Sequence, residues 1–186
     1  MTRGPIFTVP NQLTFLRLAF LPFFIMVVLY DKFEWALGIL VAAALSDLLD
    51  GWLARSLNQR SALGAYMDPI ADKLLLSSSF LVLALKGKLV WWLTILVLGR
   101  DVLILTTAAA ILVVAGYQPL PPSLYGKLTT GSQIILVFVA VAVEVFEYPW
   151  LYWLMSRGSI IVAALTIFSG IHYSVIVARR LSNPAT

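Results

Sequence analysis

Polar residues interrupt this sequence at nearly regular intervals, and the intervals match the length of a membrane-crossing helix. The breaks are Asp31-Lys32-Phe33-Glu34, residues 56–63, Lys86-Gly87-Lys88, the turn-rich residues 116–124, and Glu144 to Pro149. A helix needs roughly 20 apolar residues to cross the hydrocarbon layer. It also satisfies its own backbone hydrogen bonds where no water can. The chain is 61% hydrophobic and only 12% charged, about half the charge of a soluble domain. The predicted fold is therefore all-α, a polytopic membrane protein of six transmembrane helices with short loops, forming one domain over 1–186. The expected spans are about 12–30, 34–56, 65–86, 89–115, 125–145 and 158–178. Residues 1–10 are a polar lead-in with no cleavable leader expected. With no cysteine, disulfide and thiolate chemistry are excluded.

Against this background the acidic residues stand out. Four of the chain's nine, Asp47, Asp50, Asp68 and Asp72, fall within 26 residues at the second and third spans. Ionised carboxylates near a bilayer are costly and call for a cation or a basic partner. On a helix Asp47 and Asp50 share a face, continued by Gly51 and Ala54; Asp68 and Asp72 share another, with Gly64 one turn earlier. Carboxylate oxygens are hard ligands, suited to Mg²⁺, Mn²⁺ or Ca²⁺. Four of them can bridge two ions, and Arg55 is placed to meet a phosphate oxygen. A cation transporter using the same acids as its ion site is a reading of a different class. It predicts acids near the membrane middle and leaves Gly51, Ala54 and Arg55 without a role.

The ordered set Asp-x2-Asp-Gly-x2-Ala-Arg-x8-Gly-x3-Asp-x3-Asp, Asp47 to Asp72, resembles the signature of the CDP-alcohol phosphotransferase family, and every fixed position of that pattern is met. The resemblance implies transfer from a CDP-linked donor to an alcohol with release of CMP. It implies that Asp47, Asp50, Asp68 and Asp72 hold two divalent ions, Mg²⁺ or Mn²⁺, with Asp72 also the general base. Gly51, Ala54, Arg55 and Gly64 would contact the CDP part of the donor. The family often begins with a run like Asn11-x2-Thr14-x2-Arg17, so these three are candidates for the headgroup side. Family members commonly pair as homodimers.

Lys and Arg mark the cytoplasmic side of membrane proteins. Arg3, Arg17, Arg55, Arg60, Lys127, Arg179 and Arg180 fall on the face carrying the aspartates; Lys32, Lys86, Lys88 and Arg157 fall on the other. This places both termini and the site in the cytoplasm of a bacterial-type cell membrane. The net charge of +4 reads as membrane anchoring, with no nucleic-acid partner. In span four, Arg100-Asp101 is expected to pair inside the bundle and brace the metal site. His172, the only histidine, is expected to pack at the interface rather than ligate.

An almost wholly membrane-embedded chain suits CDP-diacylglycerol as donor. The acceptor is a glycerol-type alcohol. Phosphatidylglycerophosphate synthases of the family usually carry Arg-Glu in span four and another Arg two turns on; here the pair is Arg100-Asp101 and position 108 is alanine. Residues 58–64, Arg100-Asp101 and Pro122–Lys127 look more like cardiolipin synthases of the family, whose acceptor is phosphatidylglycerol. Arg100 and Lys127 are the candidate acceptor cations on the fourth and fifth spans. Glycerol 3-phosphate is the alternative acceptor.

Overall fold

Each apolar stretch between the polar breaks becomes a helix, and the described breaks, at Asp31, Lys86 to Lys88 and Glu147, become turns. The structure, a computed structural model, describes the backbone of residues 9–56, 62–115 and 124–182 and the side chains of 18–46, 73–107 and 124–177. The described residues form six helices: α1 (Val9–Leu29), α2 (Phe33–Ser56), α3 (Ala62–Leu85), α4 (Trp91–Ala115), α5 (Leu124–Phe146) and α6 (Pro149–Ser182). No strand occurs among them. None of the helices has a distinct polar face, the pattern of helices embedded in apolar surroundings.

The three turns at one end of the bundle are capped through left-handed residues. Asp31 has φ 58°, Gly87 φ 71° and Glu147 φ 51°. Lys32 N–H donates to Val27 O and Asp31 N–H to Val28 O, while Lys88 N–H donates to Leu83 O and Gly87 N–H to Ala84 O. These are paired six-to-one and five-to-two closures that satisfy the last carbonyls of α1 and α3. Glu147 N–H closes α5 by donating to Val143 O. Only Gly87 takes the left-handed conformation without a Cβ penalty.

The helices pack in a ring. α1 touches α2 and α3, α3 touches α4, α4 touches α6, α6 touches α5, and α5 returns to α2; α3 also meets α5 across the ring. The shared core holds Phe24, Val28, Phe80, Leu83, Leu93, Val97, Val141 and Val162. Polar groups within it are partly satisfied: Ser79 donates to Leu75 O of its own helix, and Gln133 Nε2 on α5 donates to Thr166 Oγ1 on α6 at 3.3 Å, while Gln133 Oε1 has no partner among the described residues. A bond of the second kind holds apolar helices in register where burial alone does not distinguish one packing from another.

Outward, large apolar side chains are exposed along several helices, among them Phe23, Met26, Trp35, Ile95, Leu105, Ile135, Ile161 and Ile171. Apolar surface on that scale marks contact with lipid or another apolar partner. Among the described residues, two helical stretches are long and apolar enough to cross a membrane, Leu124–Phe146 and Pro149–Val177.

Several boundaries differ from expectation. The aromatic-rich residues 149–157, expected to precede the sixth span, are the first turns of α6, because Pro149 suits the opening position of a helix and nothing after it breaks one. Trp150, Tyr152 and Trp153 remain exposed there, as an interfacial belt would be. α3 begins at Ala62 rather than near residue 65, so Pro69 lies inside it and removes a backbone bond. α1 begins at Val9 rather than near residue 12 and takes in Asn11.

Candidate active site

The two halves of the aspartate pattern sit on consecutive helix ends. Asp47, Asp50, Gly51, Ala54 and Arg55 belong to the closing turns of α2, and Gly64, Asp68 and Asp72 to the opening turns of α3. Residues 57–61 join the helices, and so short a connector keeps the two ends within roughly 20 Å. The side chains of these eight residues, and of Asn11, Thr14 and Arg17 on α1, lie outside the described residues. Among the described residues no group of three His, Cys, Asp or Glu side chains is arranged to hold a metal. The chemistry of the four-aspartate set itself fits hard divalent cations.

Immediately beyond Asp72 the side chains are described, and they form a buried charged network. Lys73 Nζ donates to Asp101 Oδ1 at 2.7 Å. Arg100 donates to the same oxygen through Nη1 at 2.9 Å, and to Ser169 Oγ through Nη2 at 2.8 Å. Helices α3, α4 and α6 are thereby tied together at the level of the last aspartate. The expected Arg100-Asp101 pair forms, and it is deeply buried, with 8% and 7% of the side chains exposed. Two cations share one carboxylate, so among the described side chains the cluster carries one net positive charge. Asp101 Oδ2 and Arg100 Nε have no hydrogen-bond partner among the described residues. Buried charge left partly unpaired is costly, which sets this network apart from structural ion pairs.

Lys127, the other candidate acceptor cation, is exposed in the first turn of α5. No contact joins it to Arg100 among the described residues. His172 packs, as expected: its ring lies edge-on to Tyr125 at 4.9 Å and stacks on Phe168 at 6.4 Å.

Sequence reasoning missed Lys73 and Ser169. A lysine directly after Asp72 in an apolar helix was the available signal for the first, since such a charge needs a partner inside the bundle. Ser169 gave none, because a serine in an apolar helix ordinarily bonds its own backbone.

Beside the network runs a groove of about 660 Å³ between α4 and α6, lined by Ile95, Gly99, Arg100, Leu103, Gly170 and Ile171 among others.

The family model described as CDP-alcohol phosphatidyltransferase matches residues 7–171. The chain belongs to that family. It is therefore an enzyme of phospholipid synthesis, and the transporter reading falls. Among its relatives is a Mycobacterium tuberculosis protein named "Putative cardiolipin synthase", 40% identical over 159 residues, 85% of this chain and 75% of that one. The human "Cardiolipin synthase (CMP-forming)" is 35% identical over 76% of this chain and 52% of its own length. A second Mycobacterium tuberculosis protein, named "Probable phosphatidylglycerophosphate synthase", is 35% identical over 96% of this chain and 84% of its own.

Proposed function

We propose that this enzyme moves the phosphatidyl group of CDP-diacylglycerol to phosphatidylglycerol, giving cardiolipin and CMP. The observation that carries the acceptor choice is the engagement of Arg100. Both its terminal nitrogens are held, by Asp101 and Ser169, so among the described side chains the network offers one net positive charge and no free cradle. A glycerol 3-phosphate monoester carries nearly two negative charges and calls for several free cations; a phosphatidylglycerol diester carries one. The names of the relatives at 40% and 35% identity point the same way. The nearly full-length match to a phosphatidylglycerophosphate synthase keeps glycerol 3-phosphate as the second reading.

Members of the family generally use a divalent metal. In this reading Asp47, Asp50, Asp68 and Asp72 hold two such ions, Mg²⁺ or Mn²⁺. Bound there, the ions supply charge neutralisation for the pyrophosphate and for departing CMP. Gly51, Ala54 and Gly64 leave room for the cytidine part, and Arg55 meets a phosphate oxygen. The acceptor hydroxyl gives its proton to the Asp72 carboxylate and its oxygen bonds the β-phosphorus. The bond from that phosphorus to the CMP oxygen breaks, and CMP leaves. Asn11, Thr14, Arg17 and Lys127 line the headgroup side.

All six helices cross the membrane as one domain, with the aspartates and both termini in the cytoplasm and the enzyme working as a homodimer. This arrangement rests on the charge asymmetry of the turns and on family resemblance. A cysteine at Ser56 would then be labelled only from inside, and one at Gly87 only from outside. The acceptor is tested with purified protein, CDP-diacylglycerol and Mg²⁺, offering labelled phosphatidylglycerol or glycerol 3-phosphate and separating the lipid products. Cardiolipin from the first and no product from the second is expected. Phosphatidylglycerophosphate without cardiolipin refutes the acceptor and leaves the family standing.

A further inference from the structure

We infer that the α4–α6 groove is the acceptor's lateral seat: one acyl chain of phosphatidylglycerol lies along it, with the diester phosphate against Arg100. The inference rests on the acceptor reading above and adds where that lipid binds.

Three observations converge on this groove. It is an open groove of about 660 Å³, almost wholly apolar in its lining. Its wall from Ile95 to Leu103 is about 12 Å long at the helical rise, apolar except for Arg100. Open space lies beside Gly99, where a Cβ would meet nothing within 4 Å.

Charge then selects the occupant. Among the described side chains, the groove is bordered by a cluster with one more cation than anion and an Arg100 Nε without a partner. In low-dielectric surroundings such a charge attracts an anion strongly. The acid on the described side chains near it, Asp101, is already shared between two cations. The other described acids, Asp31, Glu34, Glu144 and Glu147, lie at the far end of the bundle. Among the described side chains a second copy in the same membrane orientation would bring to this level only its own Asp101, likewise shared between two cations, whereas an anionic lipid supplies both the apolar chain and an unshared single charge.

The level is the one the chemistry requires. Lys73 follows Asp72 directly and reaches Asp101, so Arg100 lies close in depth to the proposed general base. A lipid seated here presents its headgroup hydroxyl toward the ring interior through α3, while a donor pyrophosphate occupies the aspartate side.

The test is Gly99→Leu, which fills the groove without touching the aspartates, against Gly38→Leu, which adds the same side chain at another open position on α2. In the full-length enzyme in mixed micelles, Gly99→Leu is expected to raise the KM for phosphatidylglycerol about tenfold. The KM for CDP-diacylglycerol and the melting temperature should not change, and Gly38→Leu should behave as wild type. A phosphatidylglycerol analogue with a photoreactive acyl chain should label residues 95–103 or 166–175 in the unsubstituted protein. That second arm holds whether or not Gly99→Leu folds. An unchanged acceptor KM, a rise in the donor KM instead, or labelling elsewhere overturns the seat. Efficient disulfide formation between two copies carrying Ile171→Cys also overturns it, by making the groove a subunit interface. A wild-type enzyme that ignores phosphatidylglycerol refutes the acceptor reading first, and the seat with it.

Discussion

Among the described side chains two sets of ion pairs hold this bundle, and they differ in balance. At the far end, Lys86 bonds Asp31 at 2.6 Å and also the carbonyl of Leu29, and Lys88 bonds Glu144. Each pair joins one cation to one anion, sits at a capped turn, and is partly open to solvent, with 60% of the Asp31 side chain exposed. In the interior, Lys73, itself partly exposed, and the buried Arg100 divide a single buried carboxylate, one charge out of balance among the described side chains. A chain that needed only to fold would have no reason to keep the second arrangement, because an apolar replacement is often as stable. The end pairs staple turns; the interior cluster stands beside the aspartate helix with charge to spare for a substrate.

The largest effect should come from the interior side. Asp47→Asn removes one carboxylate from the proposed metal set. Activity should fall by about 100-fold or more while the melting temperature stays near wild type, and chelator should mimic it until Mg²⁺ or Mn²⁺ is restored. Full turnover in metal-free buffer would end the two-metal reading.

Asp101→Asn comes next. It leaves Lys73 and Arg100 facing each other without their shared anion, a loss of about 3–5 kcal/mol by analogy with other broken buried pairs. Denaturation in detergent should show it, together with a fall in kcat. Asp101→Glu, which keeps the charge, should recover part of both. Equal stability of Asp101→Asn and wild type would mean that the network carries little strain.

These residues show how far the sequence could be read. The six helices were legible because polar breaks and apolar lengths obey one geometric requirement. The aspartate pattern was legible because its spacing is long and ordered. The starts of α3 and α6 were not: α3 opens at Ala62, ahead of the expected residue 65, and the Trp-rich segment, read as preceding the sixth span, opens α6, since local propensity is overridden once a helix has neighbours to pack on. Lys73, which joins the pattern to α4, was invisible as a partner because a contact 28 residues away leaves no local periodic trace.

Lys86→Met should cost much less than Asp101→Asn, about 1 kcal/mol or below, because the pair it breaks is solvent-screened. Its activity should match wild type. A loss of turnover would show that the far end is coupled to the chemistry, and the contrast between the two regions would dissolve.

The smallest effect is expected at a cap. Glu147→Gly relieves a left-handed residue of its Cβ and should raise stability by no more than about 1 kcal/mol, seen as a small upward shift in melting temperature. A fall would mean that the Glu147 side chain contributes to closing α5.

The contrast is tested most directly by CMP release from CDP-diacylglycerol and phosphatidylglycerol with Mg²⁺, comparing wild type, Asp101→Asn and Lys86→Met, each in the amount that remains folded. The account predicts that Lys86→Met releases CMP at the wild-type rate and that Asp101→Asn falls at least about tenfold below it. Equal rates from the two variants would contradict it and make the buried network, like the pairs at the far end, no more than a staple.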